Sequence, residues 1–142
     1  MNNNLPRGLR NNNPLNMRIG DGSFSGEIKP SKDPGFRQFE TMAHGYRAAF
    51  RQMELFLERD GLDNIDKIIH KWSPPTENNT RSYVAAVESF SGVSRHKTLS
   101  FSSGEELIKI VAAMSYIENG TQAIMSDVTA GFALQDKITI KR

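Results

Sequence analysis

The residue in this sequence best placed to do chemistry is a carboxylate. Glu118 stands in "VAAMSYIENG", four residues after Met114 and seven after Val111, so at helical spacing it extends an apolar stripe. It also falls in the last turn of that helix, just before Asn119-Gly120. Burial and the negative pole of a helix both disfavour a charged carboxylate. A carboxyl held as the acid is what general-acid catalysis at neutral pH requires. The other reading is a last-turn glutamate that reaches out to water, and periodicity alone leaves both open. Competing chemistries are thin. Cysteine is absent, which removes thiol nucleophiles, cysteine zinc sites and disulfides. His44, His70 and His96 show no metal-ligand spacing, so neither a metal nor a cofactor is expected.

A second group of polar residues lies near the other end of the chain, in "RGLRNNNPLNMRIG". Asparagine forms helices and strands poorly because its amide competes for backbone hydrogen bonds. The run at Met1–Asn4 therefore reads as a solvated terminus. The run at Asn11–Asn13 differs: Arg10 and Arg18 bracket it, and Pro14 fixes the chain behind it. It is either an ordered loop presenting amides to a neutral polar ligand such as a sugar, or a loop whose amides cap neighbouring backbone. A third block, "WSPPTENNTRSY", also has two readings. As structure, Pro74-Pro75 sets a turn, Asn79 or Thr80 caps a helix, and Tyr83 packs. As function, Glu77 offers a second carboxylate and Tyr83 a phenol. Glu27 and Glu40 are weaker acidic candidates, and Trp72 reads as core.

The elements that must position these residues are mostly helical. Met42, Tyr46, Ala49, Phe50, Met53, Phe56 and Leu57 recur at three and four residues after a capping Thr41, which predicts an amphipathic helix ending near Gly61. Ile65, Ile68 and Ile69 predict a short helix to about Trp72. Tyr83, Val84 and Val87 form the stripe of the next one. Ser103 and Glu106 match a capping box before a helix apolar on nearly all sides, the pattern of a central helix. A last helix is predicted over about 121–134, with "KITIKR" as a strand or extended tail. Residues 17–39 carry short apolar pairs between Gly and Pro turns and predict a small, irregular β-hairpin region. The expected architecture is one mostly α domain over 1–142 with that small β region.

Composition sets outer bounds. The chain has 142 residues with 18 basic and 16 acidic, so the excess of +2 gives no support to nucleic-acid binding. No stretch is long and apolar enough to span a bilayer, so membrane insertion is not expected. The N-terminus lacks a signal-peptide core, which matters if the substrate lies outside the cytoplasm.

Three blocks carry a resemblance. "VAAMSYIENG" resembles the end of the catalytic helix in lysozyme-like lytic transglycosylases. "RNNNPLNMRIG" and "FRQFETMAHGYRAAFRQMELFL" resemble consecutive segments of bacterial cell-wall glucosaminidases. In those enzymes the glutamate helix precedes the Asn-rich segment, whereas here it comes near the end of the chain. The whole chain resembles small phage and prophage proteins, often labelled virion structural proteins or lysins. Their pattern runs R-N-N-N-P-x-N-x-R, a hairpin, W-[AS]-P-P-x-E-N-x-T-x-x-Y, then A-M-x-x-x-E-N-G. The blocks stand here as Arg10–Arg18, Trp72–Tyr83 and Ala113–Gly120.

The resemblance implies a lysozyme-like fold in circularly permuted order, and an enzyme acting on bacterial peptidoglycan, with other virion proteins as further partners. It implies Glu118 as acid and base, Glu77 as second carboxylate, and substrate contacts from Arg10, Asn12, Asn13, Asn16, Asn79, Tyr83 and Asn119. Lytic transglycosylation, muramidase hydrolysis and cleavage of the peptide crosslink are all open, as is a wall-binding or virion module without turnover. Such a protein would pass from the host cytoplasm to the wall with a holin or inside the virion.

Overall fold

The computed structural model describes residues 5–75 and 79–141. Among them the helices are α1 (Arg7–Arg10), α2 (Met42–Glu58), α3 (Ile65–Trp72), α4 (Thr80–Ser91), α5 (Gly104–Asn119) and α6 (Met125–Lys141). The protein is mostly helical. Local sequence explains the starts of α2, α3 and α4. Thr41 Oγ1 accepts the His44 N–H ahead of α2, and Asn64 Oδ1 accepts the Lys67 N–H ahead of α3. Of the two residues suited to cap α4, Asn79 does so, accepting from Ser82 N–H at 3.2 Å. Thr80 is buried and donates to the Ser73 carbonyl, closing the turn between α3 and α4.

The helix that carries Glu118 is central. α5 packs against α1, α2, α4 and α6, and its Leu107, Ile110, Val111 and Met114 are fully buried. Burying side chains of this size contributes roughly 1.5–3 kcal/mol each. α2 lies along α6 and is tied to α5 by a buried bond between Tyr46 Oη and Ser115 Oγ, 2.8 Å. α3 packs on α4, and α4 on α5. Gly45 of α2 has no side chain for a specific reason: a methyl there would strike the Asn12 carbonyl and the Pro14 ring, so the Asn-rich loop rests directly on the helix backbone.

Three expectations change. The Ser103–Glu106 capping box does not form. Ser103 Oγ accepts instead from Ser100 N–H in the preceding turn, and Glu106 pairs with Lys97 at 3.4 Å. The last helix begins at Met125 and runs through the tail to Lys141, where alternating residues suggest a strand. Continuing the existing helix adds one bond per residue without a new nucleus, whereas a strand needs an edge to pair with. Residues 17–39 hold two isolated antiparallel bridges, Arg18 with Phe36 and Glu27 with Phe39, in place of paired strands. Turns at Gly20–Gly22, Gly26 and Asp33–Gly35 recur too closely for a ladder to grow. Phe39, almost fully buried, anchors this region to the core.

Candidate functional site

The Asn-rich segment is built by its amides. Asn12 and Asn16 take left-handed backbone conformations (φ 52° and 53°), which asparagine tolerates better than most residues. Asn13 is fully buried: its Nδ2 donates to the carbonyls of Met17 and Arg37, both at 2.9 Å, and its Oδ1 accepts from Met17 N–H. Asn11 donates to Asp33 Oδ2 and Asn12 to the Phe39 carbonyl. These bonds stitch the loop to residues 17–39, and they leave Asn16 facing α5.

Glu118 stands half-buried where the two ends of the chain meet. Asn16 Nδ2 donates to Glu118 Oε1 at 3.0 Å across 102 positions, and Tyr83 Oη donates to Oε2 at 2.8 Å. The carboxyl group is therefore held from two sides, one donor on each oxygen. The adjoining Asn119 is buried and donates to the carbonyls of Pro14, 2.8 Å, and Ser115, 2.9 Å, which fastens the end of α5 to the loop. Gly120 follows in the left-handed conformation (φ 70°) and turns the chain away. The Tyr83 phenol is held well above the ordinary tyrosine range, first by burial, then by the nearby Glu118 charge and their hydrogen bond. It is a neutral hydroxyl, able to donate or accept.

Glu118 opens onto a cleft of about 630 Å³. Its walls include Asn16, Tyr83, Asn79, Trp72, Ser73 and Gln52 near the helices, and Arg7, Arg18, Phe24, Phe36 and Arg37 from the N-terminal region. Arg37 is buried and pairs with Glu27 at 2.7 Å, with both side chains under a tenth exposed. Among the described residues that line the cleft, Glu118 is the only carboxylate. No three metal-ligating side chains converge among the described residues. None of the described helices is long and apolar enough to cross a membrane.

The expected site residues divide accordingly. Glu118, Asn16, Tyr83 and Asn79 share the cleft. Asn13 and Asn119 do not offer their amides to a ligand in the cleft, because both are buried outside its lining and their Nδ2 groups are spent on backbone carbonyls. Asn12 and Arg10 stand away from the cleft lining: Asn12 is turned to the Phe39 carbonyl, and Arg10 is exposed on α1. Glu27 is consumed by Arg37, Glu40 is exposed outside the cleft, and Glu77 lies outside the described residues. Trp72, expected in the core, packs against it and also lines the cleft. The arginine and phenylalanine wall has no local signature in the sequence beyond Arg18 closing the first block.

Fold and site define a helical protein whose cleft presents a single positioned carboxyl group among the described residues. The chain belongs to the family of a bacteriophage protein, Protein P5 of Pseudoalteromonas phage PM2: the two are 37% identical over 134 residues, covering 92% of this chain and 82% of that one. No family model matches the chain.

Proposed function

We propose that this phage-family protein cleaves the glycan backbone of bacterial peptidoglycan, with Glu118 as general acid and then general base, in a lysozyme-like fold of permuted order. The observation that carries the reading is the Glu118 carboxyl at the cleft wall, oriented by Asn16 and Tyr83. The meeting of the Asn-rich segment with the end of α5 supports the permuted order, since these blocks stand at opposite ends of the chain. Glu118 protonates the glycosidic oxygen as the bond to the muramoyl C1 breaks. The 2.8 Å contact with Tyr83 serves both states of the acid. The phenol donates to the carboxylate, and rotation of its hydrogen lets it accept from the carboxyl proton.

With one carboxylate among the described residues that line it, the cleft favours lytic transglycosylation over hydrolysis. In that reaction the deprotonated Glu118 takes the proton of the muramoyl 6-hydroxyl, whose oxygen closes on C1 to give a 1,6-anhydro end. Hydrolysis needs a second carboxylate to activate water or attack the sugar, and that role falls to Glu77. Delivery to the wall follows from virion carriage or a holin, and carriage brings other virion proteins in as partners.

The test is incubation with purified sacculi and mass spectrometry of the soluble products. Anhydro-muramoyl ends are expected, and Glu118→Gln should fold normally and release at least ~100-fold less product, the lower end for a positioned general acid. Reducing ends would move the reaction to hydrolysis, and free peptides to crosslink cleavage. A Glu118→Gln protein that retains activity within a few-fold would remove Glu118 as the acid. No product from the wild type would leave a wall-binding or virion module.

A further inference from the structure

The cleft wall formed by Arg7 of α1 and by residues 17–39 brings two cations to one aromatic ring. Arg7 and Arg18 both lie over the ring of Phe36, with guanidinium carbons 4.4 and 4.8 Å from its centroid. Arg18 is placed there by backbone, because its antiparallel bridge to Phe36 makes the two cross-strand neighbours, flanked by bonds from Ile19 N–H to Gly35 and from Arg37 N–H to Met17. The cations of the cleft differ in their partners. Arg37 has Glu27 at 2.7 Å and Arg7 has Asp33 at 3.1 Å. The Arg18 guanidinium has no acidic partner among the described residues and rests on the face of Phe36. A guanidinium held over a ring can still donate from its N–H groups, and its fork suits bidentate binding of a carboxylate. Asp33 already balances Arg7, which leaves Arg18 as the cation on this ring without an acidic partner among the described residues.

We propose that Arg18, with Arg7 beside it on Phe36, forms a carboxylate-binding subsite in the Glu118 cleft that takes the acidic side arm of a muramoyl residue. This rests on the glycan-cleaving reading and narrows it. The substrate is then a strand that carries carboxylates, supplied by the stem peptide, since the lactyl carboxyl is an amide wherever that peptide is joined and is free only where the peptide has been removed.

The test measures binding rather than turnover. It uses co-sedimentation of Glu118→Gln protein with three wall preparations: intact sacculi, sacculi stripped of stem peptides by an amidase so that lactyl carboxylates remain, and sacculi whose carboxylates are capped as methylamides. Adding Arg18→Met, which keeps an apolar contact with the ring but removes the charge, is expected to weaken binding to intact sacculi about tenfold or more, as loss of a charge-assisted bond implies. Arg18→Lys should recover only part of that loss. On capped sacculi the Arg18 variants should bind alike. Dependence on Arg18 that disappears on stripping assigns the carboxylate to the stem peptide, and dependence that survives shows that the subsite also takes the lactyl carboxylate the amidase frees. Binding to intact sacculi that Arg18→Met leaves unchanged, or an equal loss on intact and capped sacculi, would overturn the subsite. If the wild type still cut sacculi, the glycan-cleaving reading would stand without it. Wild-type protein that neither binds nor cuts sacculi would overturn both.

Discussion

The contact between Tyr83 and Glu118 can be measured without any assumption about catalysis. The perturbation is a double-mutant cycle of Tyr83→Phe and Glu118→Gln, which remove one hydroxyl and one charge with little change of shape. In the wild-type protein the phenol, packed against the core, donates at 2.8 Å to the Glu118 Oε2 oxygen, while Asn16 serves the other oxygen. A hydrogen bond to a charged group is worth about 1.5–3 kcal/mol, and a neutral one about 0.5–1.5 kcal/mol. Glu118 is half-buried, so water replaces part of what is lost, and the lower end of the first range applies. Tyr83→Phe alone should therefore cost about 1.5 kcal/mol. In the Glu118→Gln background the phenol meets a neutral amide, and the same change should cost about 0.5 kcal/mol. The expected coupling is about 1 kcal/mol, read from urea unfolding midpoints at neutral pH with an unchanged slope. Separate, unconnected sites add to within about 0.3–0.5 kcal/mol. Additivity within that margin would refute the bond, and with it the argument that Tyr83 orients the carboxyl group.

Two further outcomes follow from buried polar groups. Asn13→Ala removes one buried acceptor and two buried donor contacts and leaves the Met17 and Arg37 carbonyls without that partner; it should destabilise the protein by about 2–4 kcal/mol, taking roughly 1 kcal/mol per bond, measured by thermal or urea unfolding, and near-wild-type stability would refute the structural role given to Asn13. Burial raises both Tyr46 and Tyr83 above their ordinary value near 10. A raised folded value means that the unfolded chain loses these protons first, so the stability they contribute is complete below about pH 10 and lost as pH rises toward the folded values. Each contributes a slope of about 1.4 kcal/mol per pH unit in that window, and Tyr83→Phe should remove one such contribution from an alkaline unfolding series.

How much of the molecule is legible in its sequence depends on how local the cause is. Glu118 can be picked out because Val111 and Met114 lie on its own helix face, and a period of 3.6 is written in adjacent turns. The caps Thr41 and Asn79 are legible for the same reason. Ser103 matches a capping box and does not form one, since its hydroxyl has a competing donor in Ser100, a turn that pattern matching does not weigh. The tail 137–142 has a strand-like alternation, yet a strand needs an edge, and whether one stands nearby is a tertiary fact. The cleft wall is tertiary throughout. Arg7, Arg18 and Phe36 meet only because residues 17–39 fold back beside α1, and no spacing in the sequence announces that.

The asparagine run shows why residue type alone misleads about a site. Four asparagines in six positions, Asn11 to Asn16, suggest a row of amides turned toward a sugar. Three of those side chains are instead committed to Asp33, the Phe39 carbonyl, and the Met17 and Arg37 carbonyls, while two of the four backbones adopt the left-handed conformation that lets the loop close. The segment spends its hydrogen-bonding capacity on its own shape so that one amide, Asn16, meets one carboxylate. Exchanging Asn13 for a residue that only mimics its polarity would therefore disturb the site through geometry rather than through a lost ligand contact. By the same logic, under the proposed glycan-cleaving reading, selectivity cannot come from a row of amides. Under that reading it falls to the other groups that line the cleft, among them the indole of Trp72 and the guanidinium of Arg18, because the rings of Phe24 and Phe36 are already covered by arginines.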